Sequence, residues 1–190
     1  MGTDGATRWS EGLPDGPLKG RAMDQVAHAF VQQDPEAAAA WASQFAGESY
    51  AARVIEEVGD EWAERDPTSA VLWLESLPQG QGQAMGLSSA YGEWVRRDPV
   101  ASGERVAAMP RSPERDAAIS GYAGGLAYRD PVAAIEWANS IAQDDVRNRT
   151  LTQAGQALFR RDSAAAREWV GSSGLPPELQ QQVLNPPRRR

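Results

Sequence analysis

Five aspartates, Asp34, Asp66, Asp98, Asp130 and Asp162, stand 32 residues apart with no insertion or deletion between them. A fixed period of this length is the signature of a chain built from one supersecondary unit used repeatedly. Four of the five precede proline (Pro35, Pro67, Pro99, Pro131), and the fifth precedes Ser163. Seven residues after each comes Trp41, Trp73, Arg105, Trp137 or Trp169, and Arg65, Arg97, Arg129 and Arg161 directly precede the last four aspartates.

Asp followed by Pro is a helix start: the carboxylate accepts from free backbone N–H groups, and proline at the first helical position has no N–H to leave unsatisfied. Ala70, Trp73, Leu74 and Leu77 then share one helical face before Pro78 ends the segment. Upstream, Ile55, Val58, Gly59, Trp62 and Ala63 repeat that spacing. The unit is therefore a helix pair. Long helices are expected near 17–32, 49–64, 81–96, 113–128 and 145–160, and short ones near 35–45, 67–77, 99–109, 131–141 and 163–171.

Trp9 lies 32 residues before Trp41, and Pro177-Glu178 lies 64 after Pro113-Glu114. These place a half repeat at 1–16, full repeats at 17–48, 49–80, 81–112, 113–144 and 145–176, a last helix at 177–184 and a tail at 185–190. The expected domain is a single helical one over 1–187, an excerpt of a longer array. Period-two alternation is absent, so the fold class is all-α. Helix hairpins of fixed length that cannot bury their apolar faces alone stack on one another, which predicts a right-handed α-solenoid of antiparallel hairpins with about 12 helices.

The Asp-Pro-x-x-Ala-x-x-Trp units, with linkers such as Leu77-Pro78 and Leu13-Pro14-Asp15-Gly16-Pro17, resemble a group of bacterial tandem helix-hairpin repeat proteins over about residues 9–176. They resemble the tetratricopeptide class more loosely, since the period here is 32 and the tryptophan falls late in the second helix. The resemblance implies a helical repeat architecture and, by analogy with tetratricopeptide proteins, protein or peptide binding.

Composition removes most chemistry. There is no cysteine, which excludes disulfides, thiolate metal sites and cysteine nucleophiles, and His28 is the one histidine, which excludes multi-histidine metal centres. No apolar stretch of about 18 residues is present and the N-terminus has neither a basic nor an apolar leader region, so neither a membrane span nor a signal peptide is expected. Residues 1–66 carry 13 acidic against 5 basic side chains, and the remainder 13 against 14. An acidic chain offers no surface for nucleic acid, and the terminal Arg188-Arg189-Arg190 reads as a solvated tail.

The remaining motifs are weak. The glycine-rich Gly80-Gln81-Gly82-Gln83-Ala84-Met85-Gly86 follows a helix and not a strand, so it is read as the loop opening a helix. Asn148-Arg149-Thr150 fits a glycosylation sequon but lies within an expected helix. Asp24 and His28 stand four apart without the strained turn that would expose a nucleophile. Glu56-Glu57, Asp60-Glu61 and Asp144-Asp145 read as solvated faces. All seven tryptophans are expected in the core. Arg105, the break in their column, is expected to turn outward with Val106 and Met109 filling the space.

No catalytic residue, cofactor site or metal site is expected. The polar stripe of the long helices is the candidate partner surface: Arg53, Glu56, Glu57, Asp60 and Glu64 in one repeat, Ser88, Ser89, Gly92 and Arg96 in the next, and Ser120, Gly121, Gly124 and Tyr128 in the one after. Gly86, Gly92, Gly121, Gly124 and Gly125 are expected either to admit close helix approach or to leave room for a ligand backbone. The expected function is a non-catalytic scaffold or adaptor that holds a protein or peptide of basic character on its curved face. The alternatives are an accessory or regulatory domain of a larger enzyme or membrane-anchored protein, taking a small ligand or sugar among Tyr91, Tyr122 and Tyr128, or a homo-oligomer joined through the end hairpins.

Overall fold

In the computed structural model, which describes residues 2–186, every described element is helical. The order is α1 (Thr3–Glu11), α2 (Pro17–Gln33), α3 (Pro35–Ser43), a 3-10 turn (Ser49–Ala51) leading into α4 (Ala52–Ala63), α5 (Pro67–Ser76), α6 (Gln81–Arg97), α7 (Pro99–Ala108), α8 (Pro113–Leu126), α9 (Pro131–Asn139), α10 (Asp144–Arg161), α11 (Ser163–Ser172) and α12 (Pro177–Leu184). Long and short helices alternate in the expected register, and Arg188-Arg189-Arg190 lie outside the described residues.

All five repeated aspartates cap. Asp34 accepts from the Ala37 N–H, Asp66 from Ser69, Asp98 from Val100 and Ala101, Asp130 from Ala133, and Asp162 from Ala164 and Ala165, at 2.9 to 3.1 Å. Each carboxylate thus satisfies a donor that the first helical turn leaves free. The arginine before the aspartate has a complementary task. Arg65 donates to the carbonyls of Val31 and Gln32 at the end of α2, and Arg161 donates to the Arg129 carbonyl. The Arg65 guanidinium, set on the last carbonyls of α2, matches the negative helix end, and Arg161 reaches the turn that follows α8.

The chain divides into two compact units, with the boundary between Trp94 and Val95 inside α6. In the first, α2 packs along α4 and α3 lies against both, with Met23, Val31, Val54, Ile55, Val58 and Leu74 almost wholly buried. In the second, α8 packs along α10 and α9 lies against both, while α12 closes on α10 and α11. Its core comprises Ala123, Ala134, Leu151, Ala154, Leu158, Val170 and Val183.

The tryptophan column needs one correction. Trp41, Trp62 and Trp94 are buried and Trp73, Trp137 and Trp169 half-buried, but Trp9 is 56% exposed. The Trp41 indole N–H, by contrast, reaches Glu11 Oε1 on α1 at 2.7 Å, thirty residues back. Arg105 is exposed beside the fully buried Val106.

Glycine serves close approach at several positions. A Cβ on Gly20 would stand 2.2 Å from the Tyr50 carbonyl oxygen, one on Gly86 2.5 Å from a Leu74 methyl, and one on Gly155 2.4 Å from the Trp169 ring, whereas Gly124 has open space around it.

Candidate functional site: the acidic face of α2 and α4

Because α2 and α4 lie side by side, residues offset by 29 meet across the seam: His28 faces Glu57, and Gln32 faces Glu61. Each pair member is four residues from its neighbour on the same helix, so the four side chains form a square of adjacent positions. His28 Nδ1 lies 2.7 Å from Glu57 Oε1 and 3.5 Å from Glu61 Oε1. Gln32 donates its amide to Glu61 Oε2, and its own carbonyl oxygen accepts from Arg65. Arg65 also holds the Gln32 backbone carbonyl at 3.1 Å, so the repeat's arginine braces the end of this square.

The expectation of a solvated carboxylate face fails here. Glu56, Glu57, Asp60 and Glu61 are half-buried, as is Asp24 one turn before His28. Asp24 Oδ1 and Glu56 Oε2 are shut off from solvent and accept no hydrogen bond, and the Arg53 guanidinium approaches Glu56 Oε2 only to 3.9 Å. Helix packing has placed five carboxylates where water covers them poorly.

The proton affinities follow from that crowding. Burial pushes the Asp24 carboxyl up, and the Glu57 charge adds to it. Burial likewise raises Glu56 against the opposing Arg53, and raises Glu61 against the opposing His28. His28 is raised above the ordinary 6.5, chiefly by its hydrogen bond to Glu57 and then by the Glu61 charge. Desolvation disfavours each carboxylate, and neighbouring carboxylates favour the imidazolium.

The rest of the expected stripe is dispersed. Arg53 and Glu64 are exposed. Ser88, Ser89 and Gly92 are half-buried along α6, and Arg96 near its end is exposed. In the second unit Ser120 shares a hydrogen bond with Thr150 at 3.0 Å, Gly121 is buried, Gly124 is half-buried and Tyr128 is 68% exposed. Two of the three tyrosines of the small-ligand alternative are engaged in packing: Tyr91 is fully buried against Trp94, and Tyr122 packs on Trp137 while donating to the Pro99 carbonyl.

Sequence reasoning missed His28, Gln32, Glu61 and Asp24 as members of one face. The available signal was the pair of four-residue spacings, 28/32 and 57/61, set 29 apart. It also missed Asp116, whose buried carboxylate accepts from the Ala142 and Gln143 N–H groups just ahead of α10. Comparison of the chain with protein-family models, with curated proteins and with solved structures finds no match.

Proposed function

We propose that this chain is a non-catalytic interaction module, a run of helix hairpins continuing as a right-handed α-solenoid, that holds a basic segment of a protein partner on the acidic face of α2 and α4. The observation that carries this reading is the pair of shielded carboxylate oxygens, Asp24 Oδ1 and Glu56 Oε2, with no donor to accept from. Glu56 has only the exposed Arg53 guanidinium, at 3.9 Å, against its charge, and crowded carboxylates in a poorly hydrated site are costly, so lysine or arginine side chains laid along the exposed edge of α4 would offset that charge. The net charge of residues 1–66, 13 acidic against 5 basic, draws such a partner in at long range.

The test uses fluorescent oligo-arginine and oligo-glutamate peptides with the whole chain in chelator-treated buffer. The basic peptide should bind, weaken steeply as salt passes about 0.15 M where the Debye length is about 8 Å, and be lost with Glu56→Lys at unchanged circular dichroism. Equal binding of both peptides, or binding indifferent to Glu56→Lys, would remove the reading. So would turnover of any substrate by the purified chain.

A further inference from the structure

We propose that His28, Glu57 and Glu61 form a binding site for a divalent transition-metal cation of the zinc class. One ligand atom of each, the imidazole nitrogen and two carboxylate oxygens, lies within 4.8 Å of the others. Two ligands of a tetrahedral zinc ion at about 2.0–2.1 Å stand about 3.3 Å apart. The Nδ1 to Glu61 separation of 3.5 Å already suits that geometry, and the Nδ1 to Glu57 separation of 2.7 Å opens by a few tenths once the hydrogen-bonding proton leaves for solvent.

The donors are mixed in kind and braced from behind, which distinguishes them from a bare acidic cluster. One imidazole with two carboxylates favours zinc, cobalt or nickel over calcium or magnesium, which take oxygen donors alone. Glu61 is fixed by Gln32, and Gln32 by Arg65, an outer layer that orients the ligand before the ion arrives. Glu57 and Glu61 come from one rigid helix and His28 from its neighbour, so the site forms only in the folded chain. Asp24 Oδ1 and Glu56 Oε2, shielded and without donors, add negative charge that a dication offsets. With three protein ligands, a fourth position stays open toward the 58%-exposed side of His28.

This inference stands apart from the partner reading, because it needs no second protein and uses His28, which the peptide test leaves intact. The probe is zinc ion alone, added to the untagged, chelator-treated chain and followed through the imidazole NMR signals, which a single histidine makes unambiguous. One equivalent of zinc should shift the His28 ring and saturate, and magnesium should not. His28→Ala should abolish stoichiometric binding measured by calorimetry, and Gln32→Ala, which removes no ligand, should weaken it about tenfold. An unmoved ring at one equivalent of zinc, or equal zinc affinity in His28→Ala, overturns the site. Oligo-arginine binding in chelator by His28→Ala shows separately whether the partner reading holds.

Discussion

The indole N–H of Trp73 donates to the hydroxyl of Ser43, thirty residues earlier, at 2.9 Å, and Trp41 makes the equivalent bond to Glu11. The ring thereby joins one short helix to the end of the preceding one. Trp41→Ala should cost about 3–5 kcal/mol, the usual range for emptying an aromatic site in a packed core. Trp9→Ala should cost under about 0.5 kcal/mol, as befits an exposed side chain. Urea midpoints of the two variants measure the difference, and equal losses would contradict the register.

Asp66→Ala removes bonds to the Ser69 N–H and hydroxyl and should cost about 0.5–2 kcal/mol. Asp4 sits inside the first turn of α1, whose cap position is Gly2, so Asp4→Ala should cost less. Chemical denaturation of both variants at neutral pH compares them directly.

Two helical glycines should respond in opposite directions. Gly155→Ala drives a methyl into the Trp169 ring and should destabilise by about 1–3 kcal/mol. Gly124→Ala meets open space and should stabilise by about 0.4–1 kcal/mol through helix propensity and a less disordered unfolded chain. Thermal melts of the pair check the sign of each.

Stability should rise on mild acidification in metal-free buffer. Asp24, Glu56 and Glu61 have folded values above their ordinary 3.8 and 4.5, so the folded state binds more protons than the unfolded one there, and stability is lost as pH rises through those raised values. His28 acts in the same sense: its contribution is full below 6.5 and lost as pH rises through its higher folded value. Asp66, lowered by its bonds to Ser69, works oppositely, its contribution present above 3.8 and lost below. The urea midpoint should therefore increase from pH 8 to about 5 and fall below about 3.8.

Helix boundaries were legible because Asp-Pro acts locally: the cap and the proline fix where a helix begins whatever packs on it. Which residues meet between helices was less so. The 3-10 turn at Ser49–Ala51 tightens the entry to α4, where no Asp-Pro pair precedes it. Asp116 reads in sequence as one more first-turn acid of α8, yet it reaches across to the N–H groups of Ala142 and Gln143. The His28 square required knowing that α2 and α4 meet at an offset of 29 and not at the repeat length of 32, a consequence of how neighbouring helices slide to seat their side chains.

The titration of His28 tests the account most directly, because this imidazole reports whether α2 and α4 bring their carboxylates together into the one face on which both functional readings are built. Followed by NMR in chelator-treated buffer, the ring should titrate above 6.5 in the parent chain and fall toward 6.5 in Glu57→Gln, which removes its largest stabilising contact. A value at or below 6.5 in the parent chain, unmoved by Glu57→Gln, would contradict the assembled face and both readings built on it.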